Sequence, residues 1–280
     1  MCQVWLYFPE SNQSAPYMSL PPIRVCSIVQ LTVSQDWRLS LAHDRDAHLL
    51  IWITRGQGRL LLNGTRRGVG THNAISIPAR TLFSLELGRQ GMGLAAVIPD
   101  GTQVRLPSGP RQLRIRDVAA ISEMAALFEA AQREDTAARE LYQDALDAHA
   151  SLMSVWLRRQ ITLPENLPLP MNAAARLSAS FCERITAFHT TGMTMADHAE
   201  ALNVTPTHLT RACKAATGRT AADLLTERVL YAARVALMET DVAIQDVARH
   251  LGFGSAAYFT RFIQQHTAKT PTALRQSGRK

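Results

Sequence analysis

The spacing of apolar residues divides the chain into three textures. Between residues 27 and 99, apolar and polar positions alternate in seven short runs, at 27–33, 37–42, 48–54, 58–64, 74–79, 82–87 and 93–98, separated by Gly, Asn, Asp and Pro. Period-two runs bounded by turn formers predict strands, and so many at this spacing predict a small β-barrel or sandwich. Arg55, Gly56, Gln57 and Gly58 form one tight-hairpin signal, and Asn63 with Gly64 forms another. On the run 48–54, His48, Leu50 and Trp52 share a face.

From 117 to 160 the period lengthens to that of helices. Val118, Ile121, Met124 or Ala125, and Phe128 make one stripe. Leu141, Ala145, Ala148, Leu152 and Val155 or Trp156 make a second, in alternating steps of four and three. That is the spacing of a helix–helix seam, which either pairs two copies of the chain or packs on the chain's own barrel. Three prolines, Pro164, Pro168 and Pro170, then mark a semi-rigid linker. The expected organisation is an arm over 1–24, a strand-rich unit with a helical segment over 25–160, a linker over 161–172 and an all-helical unit over 173–280.

The helical unit repeats one pattern at an offset of 49 to 50 positions: Ala199, Leu202, Val204, Leu209 and Arg211, then Ala248, Leu251, Phe253, Phe259 and Arg261. In the first copy Thr194 caps a short helix, Asn203 takes the turn, and Thr205 before Pro206 starts a second helix that stops at Gly218. The second copy turns at Gly252 and starts its second helix at Ser255. Between them, apolar positions from Leu224 to Leu237 predict one amphipathic helix of about 27 Å. Successive major grooves on one face of B-DNA lie about 34 Å apart, so two helix-turn-helix units on such a spacer can address one duplex. An ordinary helical bundle is the alternative; it leaves the repeat unexplained.

These residues resemble the AraC-type DNA-binding domain over about 175 to 276. The closest correspondence is the segment containing Ile244, Ala248, Gly252, Phe253, Tyr258, Phe259 and Phe262. Ala268, Leu274, Cys213 and Ala221 depart from the family's usual residues at packing positions. The resemblance implies that Thr207, Thr210 and Arg211 face base edges in the first unit, with Thr205, His208 and Lys214 on the backbone. In the second it implies Ala256 and Ala257 at the bases, flanked by Ser255, Tyr258 and Arg261. Alanine offers only methyl contact to thymine, so the first unit is expected to read more sequence. The strand-rich half resembles the cupin-like sensor domain that precedes such DNA-binding domains, which implies a small-molecule effector, a homodimer and contact with RNA polymerase, most often as an activator. The fold class expected is therefore α+β and multidomain.

Charge and chemistry narrow this reading. Residues 172–280 carry 13 Lys and Arg against 8 Asp and Glu, whereas 1–171 carry 17 against 15. The net +7 thus sits mainly in the unit expected to meet phosphate. Cys2, Cys26, Cys182 and Cys213 have no paired spacing, and the start of the chain lacks the basic region of a signal peptide, so a reduced, cytoplasmic protein is expected, without a membrane span. Cupin enzymes hold a metal with clustered His and Glu. Here His43 and His48 stand five apart, no glutamate follows in place, and Phe83 occupies the late histidine position, so neither metal nor cofactor nor catalysis is expected. Arg38, His48 and Trp52 are the candidate effector contacts. A cupin-type enzyme or ligand carrier with a helical tail, and a regulator answering to a protein partner, are the competing readings.

Overall fold

A computed structural model describes residues 21–168 and 170–278, which leaves most of the expected arm, and Cys2 with it, outside the described residues. The strands are β1 (Arg24–Ser27), β2 (Ala47–Arg55), β3 (Gln57–Leu62), β4 (Thr65–Gly70), β5 (Asn73–Ile77), β6 (Phe83–Leu87), β7 (Met92–Pro99) and β8 (Arg111–Arg114). They form two antiparallel sheets, one of five strands ordered β1-β7-β2-β5-β8 and one of three ordered β4-β3-β6. The expected barrel is thus two facing sheets.

Two of the seven expected strands are helical. Residues Ile28–Thr32 form α1 and Trp37–Ser40 form α2. Ser27 caps α1 with a capping box, its hydroxyl accepting from the Gln30 N–H at 3.2 Å while Gln30 accepts from the Ser27 N–H at 2.9 Å. A short apolar run fits either period, and here the cap decides it. The expected hairpin at Gly56 is a corner between sheets: β2 pairs with β5 and β7, whereas β3 pairs with β4 and β6. Gly56 takes φ +90, and a Cβ there would lie 2.8 Å from Gly91 Cα. The Asn63, Gly64 signal does make the β3–β4 hairpin, with φ +42 and +71.

Strand alternation gives the large sheet two apolar faces. Leu49, Ile51, Ile53, Ile75 and Ile77 fill the space toward the small sheet, against Leu60, Leu62, Phe83 and Leu85. Leu50, Trp52, Ala74 and Leu113 face the other way, under α3 (Val118–Ala137) and α4 (Tyr142–Ile161), where they meet Met124, Phe128, Met153 and Trp156. One stripe of α4, Leu146, Ala150, Met153 and Leu157, is buried against the sheet. Leu141, Ala148 and Leu152 face outward, as does Val118 at the start of α3.

After a 3₁₀ turn at Pro164–Asn166 come α5 (Ala173–Phe188), α6 (Met195–Glu200), α7 (Pro206–Thr217), α8 (Ala221–Glu239), α9 (Ile244–His250), α10 (Ala256–Thr267) and α11 (Pro271–Gly278). Cross-domain packing continues the layers. Leu61 and Leu82 of the small sheet's side bury against Phe181, Cys182, Ile185, Leu209 and Cys213. At the other end of the seam Arg228 on α8 pairs with Asp44, and Arg38 on α2 with Glu239. Arg219 reaches both Glu86 and Glu227 at 2.7 Å, and Glu227 also accepts the Ala42 N–H at 3.0 Å. His43 is fully buried there, stacked on Tyr231 of α8 at 4.2 Å and against Phe83 at 4.3 Å.

Burial, with Arg45 and Arg228 nearby, holds the His43 pKa well below its usual value, and burial with Arg228 brings His189 down to about 4. The unfolded chain binds protons on both near pH 6.5 and the folded chain does not, so stability is full above that pH and falls as pH drops through it. Burial raises Glu227, which favours the folded state on acidification and partly offsets the loss. Melting temperatures measured from pH 7.5 to 5.5 should therefore decline, and more shallowly in His43→Gln; parallel declines in variant and parent would remove His43 from the seam's titration.

Candidate nucleic-acid interface

Each helix-turn-helix is built from a cap, a left-handed turn and a buried stripe. Thr194 starts α6 with a capping box through Asp197, whose carboxylate accepts the Thr194 N–H at 2.7 Å and is held below the usual range by those bonds. Asn203 turns the chain at φ +54. Thr205 then starts α7, its hydroxyl accepting the His208 N–H at 3.2 Å with Pro206 at the first helical position. The second unit repeats this: Gly252 turns at φ +75, and Ser255 accepts the Tyr258 N–H at 3.1 Å. The α7 helix ends at Gly218 in the left-handed region, as its sequence predicts.

Burial decides which residues of α7 and α10 are available. Leu209, Ala212 and Cys213 of α7 are buried, and Phe259 and Ile263 of α10. Burial among apolar neighbours lifts the Cys213 thiol to about 11, so it behaves as a core side chain. The opposite face of α7 exposes Thr207, His208, Arg211 and Lys214, with Thr210 half-buried beside them. On α10, Ser255, Ala256, Ala257, Tyr258 and Arg261 are exposed, Tyr258 at 58%. Tyr258 leans its ring on Phe253 at 5.7 Å, which fixes its direction. Among the described residues Arg211, Lys214 and Arg261 make no ion pair, so their charges stand toward solvent.

Two devices hold the units together. The 19-residue α8 runs between them with Leu230, Ala233, Ala236 and Leu237 buried against Val247, Leu251 and Phe259. The units also touch through backbone alone: a Cβ on Gly252 would lie 2.4 Å from Gly192 N, so only glycine permits the approach. Gly192 was not among the residues singled out from sequence; its partner is 60 positions away, so no local pattern announces it.

The three candidate effector contacts fall in different surroundings. Trp52 lies under the helices, edge-on to Trp156 at 6.2 Å, on the face of the large sheet that points away from the small one. His48 shares that face near the strand's start. Its Nδ1 accepts the Ala79 N–H at 3.2 Å and its Nε2 lies 3.4 Å from Asp100. Arg38 belongs to the domain seam through Glu239, with its guanidinium 5.0 Å over Trp37. The face-sharing of His48 and Trp52 was legible from alternation; which side of the sheet that face meets was not. Among the described residues no group of three or more His, Cys, Asp or Glu could hold a metal, and no helix is long and apolar enough to cross a membrane.

Comparison with known proteins bears on the helical unit. Residues 198–277 match a family described as a helix-turn-helix domain. A probable transcription factor, PqrA of Proteus vulgaris, is 38% identical over 71 residues, which is 25% of this chain. The match spans 58% of that relative's length. Among solved structures, ToxT from Vibrio cholerae O395 bound to (E)-4-(8-methylnaphthalen-1-yl)but-3-enoic acid is 12% identical, with 92% of this chain and 100% of that one covered and a TM-score of 0.42. The C-terminal domain of AraT, a response regulator from Geobacillus stearothermophilus, is 24% identical over 39% of this chain and 88% of that one, with a TM-score of 0.35. The C-terminal region of this chain thus contains a helix-turn-helix domain, built as two units on one connecting helix.

Proposed function

We propose that the protein is a sequence-specific regulator of transcription that binds double-stranded DNA through α7 and α10. The observation that carries this reading is the pair of exposed helix faces, each led by a capped N-terminus and joined by α8 and the Gly192–Gly252 contact. Nineteen residues at 1.5 Å each make α8 about 28 Å long, the scale needed to set two reading helices against successive major grooves. In the first unit Thr207, Thr210 and Arg211 reach base edges and Thr205, His208 and Lys214 the backbone. In the second, Ala256 and Ala257 meet bases through methyl contact only, while Ser255, Tyr258 and Arg261 hold phosphate. The first unit therefore chooses the sequence and the second mainly grips.

A small-molecule effector acting on the sensor half completes the reading, with activation through RNA polymerase as the output. Arg38 and Asp44 give such a signal a mechanical route, because both belong to the sensor half and both bond to α8. A homodimer is supported by the row of Leu141, at the start of α4, with Ala145, Ala148, Leu152 and Val155 along it, in which Leu141, Ala148 and Leu152 are exposed among the described residues.

Arg211→Ala should weaken binding to a selected duplex by about 1 to 3 kcal/mol and relax preference at one base pair, read by competition against a library of single-base variants. Unchanged affinity and unchanged preference would remove Arg211 from the reading set. Leu152→Glu should convert a dimer into a monomer in sedimentation at micromolar concentration. A parent chain that sediments only as monomer, with and without DNA, would dispose of the dimer.

A further inference from the structure

Beside the C-terminal end of α7 the sensor half brings up a row of arginines that no part of the account above employs. The β3–β4 hairpin packs there with its outward face against the helical unit. In its register Leu61 opposes Arg66 and Arg59 opposes Gly68, so Arg59, Leu61 and Arg66 share that face. Leu61 is buried in the seam, which fixes the hairpin's position. A Cβ on Gly218, the residue that ends α7, would lie 3.1 Å from Arg66 Nη1.

Between hairpin and helix lies a cleft of about 420 Å³ lined by Arg59, Arg66, Arg67, Gly68, Lys214 and the last turn of α7. Arg59, Arg66 and Lys214 bring cationic side chains to it and no acidic residue lines it, while Arg67, opposite the core residue Leu60, extends from the other face of the hairpin. Glu86 opposes Arg59 across the β3–β6 pair, but Arg219 engages it at 2.7 Å. Asp223 is engaged by the Thr220 N–H at 2.8 Å. Among the described residues Arg59, Arg66, Arg67 and Lys214 make no ion pair.

Three cations, Arg59, Arg66 and Lys214, around one open cleft repel one another unless an anion enters, and a multiply charged oxyanion is the chemistry that fits arginine forks. Lys214 belongs both to this cleft and to the exposed face of α7. We infer that the cleft binds phosphate of the DNA strand bordering the groove that α7 reads, so that the sensor half itself contributes to the DNA-binding surface. The inference rests on the proposed reading of α7. It makes DNA affinity depend on how the sensor half is docked, because the hairpin supplies arginines only while Leu61 keeps its place in the seam.

The test uses the full chain and a duplex selected from a random pool. One variant removes charge, Arg59→Ala with Arg66→Ala, both at exposed positions. A second, Gly68→Asp, places a carboxylate in the cleft at a site where a Cβ meets nothing within 4 Å. Each phosphate contact contributes about 0.9 to the slope of log affinity against log salt concentration. The double variant should flatten that slope by about 2 and weaken binding about tenfold or more at 0.1 M salt, with the preferred sequence unchanged. Gly68→Asp should weaken binding likewise without the removal of any arginine, which separates charge from folding if the double variant melts early. Calorimetric titration with inorganic phosphate and pyrophosphate provides the second arm. Slopes equal to the parent's in both variants overturn the inference, and so does phosphate binding that is lost in the variants while the DNA slopes stay unchanged, which would assign the cleft to a free anion. A parent chain that selects no sequence overturns the reading of α7 and the cleft with it; a parent that selects sequence while the variants match it overturns the cleft alone.

Discussion

The pairing of Arg228 with Asp44 is the contact on which the arrangement of the two halves depends. Both side chains are about nine-tenths buried, so neither charge can be left alone without a large desolvation cost. Removing one partner of a buried pair costs about 3 to 5 kcal/mol, whereas an exposed pair contributes less than about 1. Around it His43 is stacked between Tyr231 and Phe83, and Arg219 bridges Glu86 to Glu227. The consequence is a fixed placement of α8, the helix from which both helix-turn-helix units take their position. Residues 37–44 of the N-terminal half are tied to α8 through these bonds.

The layered packing explains why the N-terminal half can hold α8 in place. Its large sheet is covered on both faces, by the small sheet on one and by α3 and α4 on the other, and the small sheet's outer side is covered by the helical unit. Interiors packed at this density transmit displacement rather than absorb it. Leu61 and Leu82 are the points where the strand layer passes into the helical core. The arginines of the β3–β4 hairpin ride on the same element, so the position of the strand layer and the charge beside α7 are linked.

How much of this was legible in the chain follows from the range of each interaction. The caps at Thr194, Thr205 and Ser255, the turns at Asn203 and Gly252 and the stripes of α7 and α10 are local, and all appear where their spacing places them. Residues 28–32 and 37–40 read as strands because four or five residues cannot distinguish the two periods, and the Gln30 return bond tips the first toward helix. The turn at Gly56 was readable as a turn, but whether strands flanking it pair or part is decided by partners dozens of residues away. Nothing in the local pattern distinguishes Arg59 and Arg66 from ordinary solvated residues of a hairpin. Only the fold brings them beside Lys214, some 150 positions later, at one cleft.

The central claim is that α8 and the Gly192–Gly252 contact present two reading helices to one face of one duplex. Hydroxyl-radical and methylation footprinting of the full chain on a selected duplex tests it most directly. The account predicts protection of two major-groove segments about 10 base pairs apart on the same face, with the α10 segment lost in Tyr258→Ala combined with Arg261→Ala and the α7 segment retained. Protection of a single groove segment, unaffected by changes in α10, would contradict it.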